Sequence, residues 1–144
     1  MPIQPHVHQA PPAHASRIMA LLQAAQRSHM AFGAEDLQCL LTAGDCLVAE
    51  MDGRLAGVIC TSLNRDGYAF LRGLALRDGE TGDLALPALL TALDHRLQAR
   101  GVTHLAAYGT DPWLAPRLLQ AGFQEMDHIV TLTRHPRPVP GLPP

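Results

Sequence analysis

Lysine is missing from this 144-residue chain, so all 11 of its basic residues are arginine. A Schiff-base lysine, a lysine nucleophile and the lysine of a P-loop are therefore excluded. Aromatic residues make up only 4% of the chain, with Trp113 the sole tryptophan. Charged residues account for 17%, against about 25% in ordinary globular domains, and the net charge is −2. That balance carries no basic footprint, so neither nucleic acid nor an anionic membrane surface is an expected partner. No run approaches the ~18 consecutive apolar residues of a membrane span. Residues 1–15 hold prolines and histidines without the apolar centre of a secretory leader.

Cysteine is sparse and unpatterned. Cys39, Cys46 and Cys60 form no C-x-x-C pair, which reads as reduced thiols in a cytoplasmic protein, most simply three small buried hydrophobes. No G-x-S-x-G elbow surrounds Ser16, Ser28 or Ser62, and no G-x-G-x-x-G opens a helix. Hydrolytic serine chemistry and a dinucleotide site are thus not indicated. His6 and His8 share a face if they lie on a strand, but no third ligand at a zinc-like spacing follows, and no metal site is expected.

What is present is a 47% apolar chain of single-domain length. Prolines cluster before residue 13 and after residue 135, which places the compact fold at about residues 6–134 and leaves 135–144 as an extended, polyproline-like tail. Ile3–Gln9 can form a short strand. Ile18, Leu21, Leu22 and Ala25 repeat at helical spacing and predict a helix over Ser16–Arg27. A second helix is expected over Glu35–Ala43, stopped by Gly44. Two β-rich runs, 46–51 and 54–63, flank Asp52-Gly53, a hairpin signal. A turn at 64–67 leads to a third strand, 68–76. Leu86, Leu89, Leu90, Leu93 and Leu97 form one stripe of a helix over Asp83–Arg100, with Asp83 as a suitable N-cap. A strand over 102–109 follows. Asp111 can cap a further helix that has Pro112 at its first position and ends at Gly122. Met126–Arg134 reads as a last strand. The expected architecture is an α/β (α+β) domain: one mixed central sheet of about six strands flanked by about four helices.

That order of elements resembles the GNAT superfamily of N-acetyltransferases over roughly residues 3–134. The opening HVHQAPPAHASRIMALL, the hairpin AEMDGRLAGVICTSL, the strand LRGLAL and the Gly122-Phe123 ending of LLQAGFQEM carry the likeness. The resemblance implies one domain over 1–134 and a reaction that moves an acyl group from acetyl-CoA to a small-molecule amine. It implies that the cofactor lies between splayed fourth and fifth strands, its arm along Leu74, Ala75 and Leu76. The pyrophosphate would meet Arg77, Gly79, Thr81, Gly82 and Asp83 at the start of the next helix, where unpaired N–H groups attract an anion.

Several positions depart from the family pattern. Thr81 stands where Arg or Gln is usual, Leu84 and Leu86 where small residues are, and Leu118 at the place of the usual tyrosine acid. Tyr108 is then a candidate proton donor to a leaving thiolate and Glu50 a candidate base. Asp111 and Trp113 are candidates for the acceptor side. Two functions follow: an N-acyltransferase, or a catalytically inactive GNAT-fold module that binds a ligand or partner, which a homodimer would suit.

Overall fold

The structure, a computed structural model, describes residues 4–43, 45–63, 67–108 and 111–124. The expected Gly44 stop, the turn residues 64–66, the strand 126–134 and the tail lie outside them.

The central meander matches its sequence signals. β3 (Cys46–Met51), β4 (Arg54–Leu63) and β5 (Tyr68–Leu76) run antiparallel in sequence order. Asp52 and Gly53 both take positive φ, 53° and 74°, as a two-residue type I′ hairpin turn requires. β1 (His6–Gln9) pairs antiparallel with β3. Helices cover both faces of this sheet, which explains the near-continuous apolar runs of β4 and β5. On one face α3 (Glu80–Ala99) and α4 (Leu114–Gln120) pack Leu89, Leu93, Leu114 and Leu118 against Ile59, Leu74 and Leu76. On the other, α1 (Ala15–Ala24) and α2 (Ala34–Ala43) pack Ile18, Leu22, Leu37 and Leu41 against Cys46, Val48, Val58 and Cys60. No helix among the described residues is long and apolar enough to cross a membrane.

Several expectations need correction. The first helix stops at Ala24, not Arg27: Ala25 is extended, and the Ser28 hydroxyl takes up the Leu22 carbonyl at 2.5 Å. The chain then forms a strand that the sequence reading lacks, β2 (Arg27–Met30). α3 begins at Glu80, so Asp83 lies in its first turn while Gly79, at φ 87°, takes the N-cap. β6 spans only His104–Ala106 rather than 102–109. Its parallel partner on β5 is just Tyr68–Phe70. Finally, α4 starts at Leu114, with Trp113 as N-cap and Pro112 outside the helix. The Gly122 stop stands: that residue has φ 100°, and Phe123 N–H reaches back to the Leu118 carbonyl at 3.0 Å, closing the helix end in a Schellman arrangement.

Of the three cysteines, Cys46 and Cys60 are buried and Cys39 is exposed. The third does not belong to the core that the sequence suggested.

Candidate active site

The site is built at the far edge of β5. Against β4 the ladder shifts register once, between Cys60–Gly73 and Thr61–Leu71, which makes Arg72 the extra residue of a β-bulge. A bulge bends its strand and increases its twist. β6 follows β5 up to Phe70 and no further. Beyond the bulge the edge would expose unpaired N–H and C=O groups, which a sheet rarely leaves open.

β2 fills that opening. It pairs antiparallel with the end of β5, from Met30 opposite Gly73 to Arg27 opposite Leu76. The Ala31 N–H extends the ladder to the Arg72 carbonyl at 2.8 Å. Antiparallel alternation then turns the Leu74 and Leu76 peptide groups toward β2, and those of Gly73 and Ala75 toward β4. The edge that the resemblance assigned to a cofactor arm is thus paired with the chain itself.

Arg27 completes this arrangement in front of α3. Its guanidinium donates to the carbonyls of Arg77 at 2.9 Å and Gly79 at 3.0 Å and pairs with the Asp83 carboxylate. Arg117 lies 3.4 Å from the same carboxylate. The hydrogen bond from Arg27 holds the Asp83 carboxyl below its ordinary range, and both arginine charges add to that. Gly82 makes the close approach possible, since a Cβ there would collide with the Arg77 carbonyl and stand 2.7 Å from Arg27 Nη2. Nearby, Asp78 accepts the Gln26 N–H at 3.2 Å, and Arg77 donates through Nε to the Leu55 carbonyl at 2.7 Å. Thr81 is half-buried within α3.

On the same strand His29 is buried, and its Nδ1 lies 2.7 Å from Asp111 Oδ2. The carboxylate orients the ring, and Nε2 is buried without a hydrogen-bond partner among the described residues. Asp111 therefore serves His29 through its side chain, not α4 as a cap. Its carbonyl accepts the Leu114 N–H at 3.1 Å. Trp113 is half-buried against the core, its Nε1 3.4 Å from the Ser28 carbonyl. Tyr108 follows β6, is 54% exposed, and stacks over Phe70 with centroids 6.5 Å apart.

Glu50 does not join this group. It sits on β3, two strands removed from β5, beside His8 at 3.6 Å and Arg17 at 3.8 Å. The leucines that break the family pattern do not fill the splay either. Leu84 is 50% exposed, while Leu86 and Leu118 lie in the core beneath α3 and α4. No group of three or more His, Cys, Asp or Glu gathers as a metal site among the described residues.

Sequence reasoning missed Arg27 and His29. One signal pointed to the first. An aspartate at a helix start meant for an anion calls for a nearby cation, and without lysine that cation is an arginine or a histidine. Which residue it is depends on contacts across more than fifty residues.

No protein-family model matches the sequence, and no curated protein does. Solved structures do match in shape, and the fold is that of the GNAT N-acetyltransferases. The aminoglycoside N-acetyltransferase AAC(6')-Iy, in complex with CoA, superposes with a TM-score of 0.69 at 16% identity over 90% of this chain and 99% of that one. An aminoglycoside acetyltransferase from an uncultured soil metagenomic sample, in complex with sisomicin, has a TM-score of 0.68 at 13% identity, covering 92% and 97%. A ribosomal-protein-alanine N-acetyltransferase from Brucella melitensis biovar Abortus 2308 has 0.67 at 15%, covering 92% and 99%. In the arrangement described, β2, Arg27 and Asp83 do not fit an acyl-CoA arm and pyrophosphate laid along β5 and α3.

Proposed function

We propose that the chain is a GNAT-type N-acetyltransferase that uses acetyl-CoA and a small-molecule amine, with β2 standing on the edge of β5 along which the cofactor arm would lie. The observation that carries this reading is the likeness, over 90–92% of the chain, to N-acetyltransferases, two of which are named for aminoglycosides, molecules rich in amines. The bulge at Arg72 and the end of the β6 pairing at Phe70 support it, since they leave the last residues of β5 without β6 as a partner. Tyr108 and the His29–Asp111 pair are the titratable groups that flank this splay, and Trp113 borders it. Glu50 has no part in it.

A second reading rests on one specific observation. β2 satisfies the β5 edge, and the Arg27–Asp83 pair satisfies the loop before α3. A chain that permanently completes its own sheet in this way is a ligand- or partner-binding module without acyl transfer.

Acetyl-CoA titration separates the two. Under the first reading β2 must leave, and apparent affinity is reduced by the fraction of molecules that are open. The double variant Arg27→Ala, Asp83→Ala removes the tie and the negative charge together, so it should bind at least tenfold tighter than the unmodified chain. At a hundred times the dissociation constant the cofactor adds about 2.7 kcal/mol of stability, readily seen as a raised Tm. A panel of amines with mass detection of acetylated product then identifies the acceptor. No thermal shift in either protein at millimolar acetyl-CoA establishes the second reading.

A further inference from the structure

Cys46 and Cys60 lie in the middle of the sheet, Cys60 opposite Gly73 of β5, and no part of the proposed reaction uses them. They are 14 positions apart and stand directly opposite each other on β3 and β4. The backbone pattern around them is informative. The Thr61 N–H bonds the Asp45 carbonyl at 2.9 Å, and the Cys46 carbonyl is turned the other way, toward the Ala10 N–H of the β1 side, at 2.9 Å. Cys46 and Cys60 are therefore a non-hydrogen-bonded pair, the type in which the two Cα atoms stand ~4.5 Å apart and side chains come closest. That separation lies within the range a disulfide spans without backbone movement. Both side chains point to the face covered by α1 and α2, and their sulfurs are 2.9 Å apart, with the Cys46 thiol donating to Cys60.

We propose that Cys46 and Cys60 are a redox-active dithiol, an oxidative modification site that closes to an intramolecular disulfide on exchange with a small disulfide such as glutathione disulfide. One protein thiolate attacks a sulfur of glutathione disulfide, breaking its S–S bond and releasing one glutathione thiolate. The second protein thiol gives up its proton and attacks the mixed disulfide, releasing the second glutathione. The protein loses two hydrogens and two electrons, and the glutathione disulfide takes them up.

Timing follows from burial. Both residues are 0% exposed in the folded chain. The neighbouring thiol, burial and the nearby Asp45 carboxylate push the Cys60 thiol up. A buried, protonated thiol is a poor nucleophile. Closure therefore belongs to folding, after the local β3–β4 hairpin has set the register and before α1 and α2 cover it. Hairpins form in roughly microseconds and thiol–disulfide exchange takes seconds or longer, so closure acts on chains that revisit this open hairpin during refolding. Cys39, exposed on α2, has no such opposite number among the described residues and serves as the internal control.

The test uses the full chain carrying Cys39→Ser, refolded from the reduced, denatured state in mixtures of reduced and oxidised glutathione. After acid quenching, thiols are counted in denaturant and the intact mass is measured. The expected product is lighter by two hydrogens, has no titratable thiol, and melts at a higher temperature than the same chain refolded in reductant. It forms at glutathione ratios that leave Cys39 free in the unmodified chain. Cys46→Ala and Cys60→Ala, made in the same background, should each keep one thiol or carry one glutathione. Two titratable thiols at every ratio, or glutathione adducts without the mass loss, overturn the proposal. These readouts do not involve acetyl-CoA, so they stand or fall apart from the function proposed above.

Discussion

The two edges of β5 are assembled in different ways. Toward β4 the ladder runs the length of the strand with one register shift, and its partner is the preceding strand in the chain. Away from β4 the edge is divided. Three residues pair in parallel with β6, which lies after α3, and four pair antiparallel with β2, which lies before α2. The first edge is a local hairpin product with an apolar core on both faces. The second is closed by polar ties that reach across 52 and 56 positions, Arg27 to Gly79 and to Asp83, and across 82 positions from His29 to Asp111. Edges held by few, partly exposed contacts open at lower free energy than core strands. If the protein binds a cofactor beside β5, the divided edge is where the sheet can yield.

Breaking the first edge should have the largest effect. Ile59 is 1% exposed on β4 and packs in the core beneath α3. Ile59→Ala should cost about 2–5 kcal/mol, read as a lower urea midpoint. Amide exchange should rise across β3, β4 and β5 together, and exchange confined to one strand would contradict the cooperative unit described.

Gly82→Ala should cost less, about 1–3 kcal/mol, by forcing the start of α3 away from the end of β5 and disturbing Arg27. Its loosening should concentrate in β2 and the first turn of α3. An unchanged β2 would show that Arg27 does not depend on that close approach.

The smallest effect concerns pH. Asp83 is held below its ordinary range by Arg27. A carboxyl depressed on folding contributes stability above its unfolded pKa and loses it as pH falls through the folded one. As pH falls below about 4, amides of Arg27–Met30 should therefore gain exchange relative to those of β4 under the same conditions. Asp83→Asn should remove that relative dependence. Its persistence in the variant would place the titrating group elsewhere.

Much of the fold was legible because its signals are local. The limits of β3, β4 and β5 follow from β-rich runs broken by Asp52-Gly53 and by the turn before Tyr68, and the α3 stripe follows from leucine spacing. β2 was not legible. Arg-Ser-His-Met has no β-branched residue and continues an alanine- and leucine-rich helical pattern, so propensity carried the first helix through Arg27. The demand of an open β5 edge overrode it. The candidate site was legible only in outline. Leu74–Leu76 and the start of α3 were located, but the residues that meet them were not. Asp111 was singled out, yet its partner His29 lies on the unforeseen strand.

The sequence by itself determined the central hairpin, the long leucine-striped helix and the two apolar layers, because these depend on spacing and turn chemistry within a few residues. It also determined that any cation near α3 is arginine or histidine. Only the tertiary structure decided what closes β5, which arginine meets Asp83, and that Cys46 stands opposite Cys60. Each of those depends on unsatisfied backbone groups and charges finding partners across the folded chain, and a one-dimensional pattern does not encode that proximity.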